Sequence, residues 1–152
     1  QLLDGAAEEL GRALAELREL ARGIHPAVLS DRGLAAALEA LAGRAPLPVE
    51  LRRSGDEGLP EAVESAAYFV VAEALTNVAR HSRATTAAVT IERAGDRLVV
   101  EVRDDGVGGA DNNGGTGLAG LRDRVAGLGG TLYVISPQGG PTTISVELPC
   151  GS

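Results

Sequence analysis

Apolar residues in the first part of the chain recur with a period of seven. Over residues 2–24, leucine or isoleucine occupies one heptad position, and alanine or leucine a position three further on (Leu3, Leu10, Leu17, Ile24; Ala6, Ala13, Leu20). The pattern predicts a helix with an a/d seam of about three heptads. An ordinary amphipathic helix packed on its own domain gives the same pattern over so short a span, so both interpretations stay open. Gly23 and Pro26 end this predicted helix.

A second helical pattern follows directly. Ser30 and Asp31 are candidate caps for a helix over about residues 33–43. Residues 45–48, which contain two prolines, interrupt the chain. We therefore predict a boundary near residues 44–48, between a helical hairpin and a compact unit of strands and helices.

The remaining chain alternates between helical and strand periods. A long helix is predicted from residue 60 to about residue 81, because Pro60 suits a first helical turn and Val and Ala recur at helical spacing. A shorter helix is predicted over residues 118–128. Alternation of apolar and polar residues predicts five strands, at 49–51, 89–91, 98–102, 131–136 and 142–148.

Composition excludes several kinds of chemistry. The 152 residues contain one Phe, two Tyr and no Trp, and carry a net charge of −7, which argues against a nucleic-acid partner. All 14 basic residues are arginine, so a Walker-A lysine, the strand lysine of protein kinases and a Schiff-base lysine are absent. One Cys and two His leave no disulfide and little material for a zinc site.

The chain also lacks the signals of a membrane segment or a leader. No apolar run reaches the ~18 residues that a membrane span requires, and acidic residues occupy the start of the chain, where a signal peptide is basic. We therefore expect a cytoplasmic chain without membrane contact, whether or not a longer parent protein is anchored in a membrane.

The first candidate functional cluster lies on the long predicted helix. Glu73 and Asn77 are four residues apart and share a face, which Arg80 and His81 continue one turn later. Such a polar face on a helix rich in Val and Ala is unusual. A solvated helix surface is the simpler interpretation of this cluster alone.

The second cluster is a glycine-rich turn at the end of a strand. Leu98, Val100 and Val102 alternate toward the core, so Asp104 is expected to point the same way. Glycines immediately after Asp104 allow a flat ligand to approach the backbone. A tight turn with a capping Asp is the alternative.

Two further features complete the candidate site. Gly114 to Leu118 precede a helix, and a helix N-terminus with free N–H groups attracts an anion; a flexible loop with a helix cap is the alternative. Thr142 shares its parity with Ile144 and Val146 and is expected to face the core, whereas Thr143 faces away.

Taken together, these motifs resemble the ATP-binding domain of sensor histidine kinases, and residues 19–29 add a resemblance to the NarL/DesK-type subfamily. Glu73 and Asn77 resemble the N box; Asp104, Gly106 and Gly108 resemble the G1 box; Gly115, Thr116, Gly117 and Leu118 resemble the G2 box. Residues 19–29 resemble the end of the dimerisation region. Pro141 departs from the pattern, since relatives often have glycine there.

The resemblance implies a fold and a division of the chain. The fold would be α+β, a two-layer sandwich of the Bergerat type. Its mixed, mainly antiparallel sheet of about five strands would be covered by helices on one face, and a coiled-coil-like N-terminal helix would precede it. Residues 1–29 would be the truncated second helix of the dimerisation region, and residues 30–152 the ATP-binding domain.

The resemblance also implies roles for the site residues. Asp104 would accept a hydrogen bond from the adenine amino group, with Thr142 supporting that contact. Asn77 would be a ligand of Mg²⁺, since a hard cation takes an amide oxygen. Glu73 would act near the γ-phosphate. The remaining predicted ATP-binding residues are Arg80, His81, Gly106, Gly108, Gly115, Thr116, Gly117 and Leu118, with residues 109–114 as a short lid.

The implied activity is transfer of the ATP γ-phosphoryl group to a histidine. That histidine is missing from this chain, because His25 is followed by Pro26 and His81 by Ser82, whereas the family's phospho-accepting histidine usually precedes Asp or Glu. The chain alone is therefore not expected to autophosphorylate. The implied partners are ATP or ADP, a response regulator reached through the full-length kinase, and a second copy joined through the N-terminal helix. The alternatives are a serine kinase of the anti-sigma-factor type and a nucleotide-binding interaction module without catalysis.

Overall fold

A computed structural model describes residues 27–107 and 116–151, and the first helix and the seam predicted over residues 2–24 lie outside this part of the chain. None of the described helices is both long enough and apolar enough to cross a bilayer.

Helix α1 runs from Ala27 to Arg44 and is interrupted at Gly33, where φ is 83° and ψ is 173°. Glycine adopts this left-handed region at little cost, so the chain breaks its helical path there and resumes it. The predicted start near residue 33 is confirmed, because the helix resumes after the break at Gly33. The predicted caps Ser30 and Asp31 are wrong, because both lie in a helical segment that begins at Ala27 and precedes the break. The predicted end at about residue 43 is confirmed to within one residue.

The five predicted strands form one sheet. Their bounds are Val49–Ser54 (β1), Ala87–Ala94 (β2), Arg97–Asp104 (β3), Thr131–Ile135 (β4) and Thr142–Pro149 (β5). The strand order is β1-β2-β3-β5-β4. Strands β1 and β2 are parallel, and the other three pairs are antiparallel. The predicted mixed, mainly antiparallel sheet is confirmed.

The helical layer packs on one face of this sheet. Helix α2 spans Glu61–Asn77 and continues as a π-helical turn over Val78–Ser82, and helix α3 spans Thr116–Gly127. Burial alternates residue by residue along β3 and β5, so one face of the sheet lies in the core. Helix α2 packs against α1, α3, β3 and β5. The two-layer α+β architecture is confirmed.

Helix α1 belongs to the same core as the sheet. Leu34, Ala37 and Leu38 are almost fully buried in one cluster with the inward residues of the strands. The break at residues 45–48 is therefore a loop within one cored unit, and does not separate two cores. The predicted division between residues 29 and 30 stays a prediction.

Candidate functional site

Strand register places two polar side chains opposite each other at one end of the sheet. Asp104, the last residue of β3, pairs with Thr142, the first residue of β5. Both are buried, with 4% of Asp104 and 8% of Thr142 exposed. The inward orientation predicted from strand parity is confirmed for both residues.

The Asp104 carboxylate caps its own turn and keeps spare acceptor capacity. The Gly106 N–H donates to Oδ1 over 2.8 Å, so the capping role considered as an alternative is real. Burial, the largest cause, raises the pKa of Asp104, and the neighbouring charge of Asp105 raises it further. Hydrogen bonds from the backbone N–H groups of Gly106 and Thr142 lower this pKa and partly offset the rise. A carboxylate offers about four acceptor positions. It can therefore cap this turn and still accept a hydrogen bond from a ligand.

A second hydroxyl accompanies Thr142. The Ser136 Oγ and Thr142 Oγ1 atoms lie 2.6 Å apart and share a hydrogen bond. Ser136 directly follows β4, whose last pair with β5 joins Ile135 to Thr143. Extending that register by one residue places Ser136 opposite Thr142, so the hairpin register was the signal that could have found it. Ser136 also shares its parity with Leu132 and Val134 in the strand predicted over residues 131–136, a second signal for its inward orientation.

The loop between β4 and β5 packs closely on the turn after Asp104. The Gly139 N–H donates to the Val107 carbonyl over 2.7 Å. A Cβ placed on Gly140 would lie far inside van der Waals contact with the Gly106 carbonyl oxygen. A groove of about 730 Å³ runs past this contact. Glycine at position 140 is thus required by close backbone approach, a role that the sequence analysis did not assign.

Asp105 faces away from the core and holds a different segment. Its Oδ1 accepts hydrogen bonds from the N–H groups of Thr85, over 2.7 Å, and Thr86, over 3.0 Å. Its Oδ2 accepts from the Thr85 hydroxyl over 2.5 Å. These donors, the Thr85 hydroxyl first, lower the pKa of Asp105 to about 2. Strand parity indicates Asp104 as a site residue and assigns no role to Asp105.

Helix α2 carries Glu73 and Asn77 on one half-buried face near its end. Between them, the Thr76 hydroxyl donates to the Ala72 carbonyl over 2.9 Å, a back-bond that often bends helices. The helix changes from α to π at Val78, immediately after Asn77. Such π-helical turns are frequent at functional sites.

Two predicted phosphate-side residues lie in that π-helical turn. Arg80 is exposed. His81 lies in the turn as predicted, and its side chain is outside the description. Arg83 follows in the left-handed conformation, with φ of 55°. The predicted long helix therefore extends to residue 82, with its last turn in π geometry.

The start of α3 provides the last predicted residues. Thr116 and Gly117 are its first two residues. Leu118 is 6% exposed, and its side chain belongs to the hydrophobic core. Gly108, Gly115 and residues 109–114 lie outside the described residues.

The candidate metal ligands among the described residues suit a cation that is bound mainly by nucleotide phosphates better than one that is held by protein ligands alone. Within residues 27–107 and 116–151, no three His, Cys, Asp or Glu side chains converge into a metal site. Glu73 and Asn77 instead offer one carboxylate and one amide on a partly exposed face. Magnesium is commonly held by one or two protein oxygens together with substrate phosphates and water. The residues present fit that mode of binding.

Known proteins are similar to this chain in sequence and in fold. Residues 62–152 match the family of histidine kinase-, DNA gyrase B-, and HSP90-like ATPases. The chain is 37% identical over 159 residues to the sensor histidine kinase NarS of Mycobacterium tuberculosis, covering 93% of this chain and 37% of NarS. It is 34% identical to the sensor histidine kinase MctS of Rhizobium johnstonii, covering 97% of this chain and 34% of MctS.

The fold comparison gives the same result. The chain is similar to the histidine kinase domain of the blue-light activated histidine kinase EL346 of Erythrobacter litoralis. The TM-score is 0.56 at 25% identity, over 78% of this chain and 58% of that domain. The chain spans little more than a third of the curated relatives, since it covers 37% of NarS and 34% of MctS. The chain belongs to the histidine kinase-, DNA gyrase B- and HSP90-like ATPase family, and its ATP-binding domain is of the sensor histidine kinase type.

Proposed function

We propose that this chain binds ATP together with Mg²⁺ and, within its parent kinase, delivers the γ-phosphoryl group to a histidine outside residues 1–152. The observation that carries the proposal is the buried carboxylate of Asp104 opposite Thr142, at the end of a sheet on which α2 packs. Helix α2 ends at the half-buried pair Glu73 and Asn77. The proposed site would combine this buried acceptor with candidate metal ligands.

The buried acceptor accounts for recognition of adenine. Adenine presents an exocyclic amino donor where guanine presents a carbonyl oxygen. An ionised Asp104 accepts from the amine and repels the carbonyl. Thr142, held by Ser136, supports the same edge of the base. The site should therefore prefer ATP and ADP to guanine nucleotides.

The helix ends account for the phosphates. Asn77 would contribute its amide oxygen to Mg²⁺, and Glu73 would lie near the γ-phosphate. Arg80 and His81 lie one turn later, and the N–H groups of the first turn of α3, which begins at Thr116, would favour an anion. Magnesium supplies the charge neutralisation that a chain of net charge −7 needs to hold a triphosphate.

The parent protein would place this domain in two-component signalling. We assign the chain to the NarL/DesK-type subfamily, with residues 1–29 as part of the dimerisation region, a second copy as its partner, and a response regulator as the downstream acceptor. The names of the relatives favour histidine over serine as the acceptor. ATP as the phosphoryl donor is in keeping with a cytoplasmic position.

A phosphotransfer assay tests the proposal. The chain is incubated with γ-labelled ATP and Mg²⁺, alone and with a dimerisation fragment from a related kinase that contains the acceptor histidine. We expect label on the added fragment and none on the chain alone, with less label for Asp104→Asn at an ATP concentration that does not saturate that variant. Label on serine, or ATP binding without transfer to any such fragment, would contradict the histidine kinase assignment.

A further inference from the structure

The backbone pairing between β2 and β3 ends at Asp104. The last pair between β2 and β3 joins Ala87 to Asp104. Beyond it, the turn from Asp104 to Val107 has no further β2 residue to pair with. The next contact across this gap comes from Asp105, whose backbone N–H donates to the Thr86 carbonyl over 3.3 Å.

The Asp105 side chain strengthens that contact. Its carboxylate accepts three hydrogen bonds, two from the N–H groups of Thr85 and Thr86 and one from the Thr85 hydroxyl. We name Asp105, Thr85 and Thr86 the acidic latch. An ionised acceptor makes hydrogen bonds about twice as strong as neutral ones. The latch therefore continues the connection between the two strands by side-chain bonds where the ladder stops.

The latch joins the two halves of the proposed site. On one side, Asp105 directly follows Asp104 and precedes Gly106, whose N–H caps the Asp104 carboxylate. On the other, Thr85 and Thr86 lie between the π-helical turn that carries Arg80 and the start of β2. A shift of the latch would therefore move the adenine-side turn relative to the helix end on the phosphate side.

We propose that Asp105 is a positioning residue for nucleotide binding, which fastens the Asp104–Val107 turn to Thr85 and Thr86 and so orients the Asp104 carboxylate toward the base. This inference rests on the proposed function. Asp105 is exposed and its carboxylate is occupied by Thr85 and Thr86, so it acts through Asp104 and not by touching the nucleotide.

A double-mutant cycle with ADP as the ligand tests this role. Asp105→Ala should weaken ADP binding by roughly tenfold, since it removes hydrogen bonds to a charged acceptor. Asp105→Asn should stay within roughly threefold of the wild type, because Oδ1 still accepts both N–H groups and the amide can donate to the Thr85 hydroxyl. In the Asp104→Asn background, Asp105→Ala should cause little further loss, because its partner in recognition is already removed.

Asp96→Ala provides the matched control. It removes the same charge from an exposed residue at the other end of the β2–β3 hairpin and should leave ADP affinity unchanged. Thermal unfolding of each variant shows whether the fold is intact. If Asp105→Ala does not fold, Thr85→Val removes only the hydroxyl donor and should cost roughly threefold, again only when Asp104 is present.

Three results would overturn the inference. If Asp105→Ala binds ADP as tightly as the wild type does, Asp105 has no positioning role in nucleotide binding. A tenfold loss that persists in the Asp104→Asn background would make Asp105 merely structural. Absence of ADP binding by the wild-type chain would overturn the proposed function itself, a result distinguishable from the first two.

Discussion

Replacement of Gly140 by alanine tests how the β4–β5 loop supports the turn from Asp104 to Val107. Gly140 has φ of 81°, and a Cβ at this position would clash with the carbonyl oxygen of Gly106. Gly139 has φ of 89° and open space where a Cβ would project. The two variants therefore share the backbone cost of a left-handed alanine, and only Gly140→Ala adds the clash.

The expected magnitudes follow from these two costs. A left-handed L-residue costs about 1–2 kcal/mol, which is the whole cost expected for Gly139→Ala. Overpacking adds about 1–3 kcal/mol, so Gly140→Ala should cost about 2–5 kcal/mol in all. For a chain of this size, each kcal/mol lowers Tm by about 2–4 °C. Because the clash falls on the turn that orients Asp104, Gly140→Ala should also weaken ADP binding at least about tenfold.

Thermal unfolding and ADP calorimetry on both variants provide the assay. We expect Gly139→Ala to bind ADP nearly as the wild type does, and Gly140→Ala to be less stable and to bind ADP weakly. Equal Tm and equal ADP affinity for the two variants would refute the argument that the loop packs directly on the turn.

Four further outcomes are expected. Asp104→Asn should weaken ADP binding by roughly 5- to 150-fold, the effect of a ~1–3 kcal/mol polar mismatch, and unchanged affinity in calorimetry would move the adenine contact elsewhere. Asn77→Ala should weaken Mg²⁺-dependent ATP binding more than binding of metal-free ADP, whereas equal losses in parallel titrations would make Asn77 structural. Asp105, with its pKa lowered from 3.8 to about 2, contributes stability that is present above pH 3.8 and is lost as the pH falls toward 2. Acid unfolding of Asp105→Asn should lack this pH-dependent loss of stability. Acid unfolding curves of the variant and the wild type that superimpose would contradict this prediction. Deletion of residues 1–24 should leave a folded, nucleotide-binding monomer, and light scattering that still shows a dimer would place the interface on the α/β domain.

The pKa of Asp104 is shifted upward, the opposite direction from the pKa of Asp105. A raised carboxyl pKa means that the folded state binds the proton of Asp104 more tightly than the unfolded state does. Protonated Asp104 therefore stabilises the folded state at low pH, and this contribution is lost as the pH rises through the raised pKa. The ionised form that suits adenine is thus the form that burial disfavours. ADP affinity should fall when the pH drops through the pKa of Asp104, which calorimetry across acid pH can follow.

Strand periodicity predicted the five strands and the orientation of Asp104 and Thr142, whereas the arrangement of the sheet was implied by the family resemblance. The alternation of Leu98, Val100 and Val102 was sufficient to predict that Asp104 points inward. The corresponding alternation in β5 predicted that Thr142 faces the core. Both arguments succeed because side-chain direction in a strand depends only on position along it. Roles of the site residues stay predictions.

Features that depend on two distant segments could not be predicted in this way. The hydrogen bonds of Asp105 reach Thr85 and Thr86, and the need for glycine at position 140 comes from the Gly106 backbone. Single-strand parity does not give the register between strands or the approach of loops. The helical segment before Gly33 was not predicted for a local reason, because Ser30 and Asp31 have the composition of caps but lie inside that segment.

Backbone amide NMR during a titration with ADP and Mg²⁺ tests the central claim most directly. If adenine binds to the buried Asp104 and Thr142, the amide signals of Gly106 and Thr142 should shift strongly with ADP and not with GDP at the same concentration. The amides of Glu92 and Arg97, near the opposite end of the β2–β3 hairpin, should stay in place. Shifts confined to that opposite end, or equal shifts with GDP, would contradict the assignment of this turn as an adenine site.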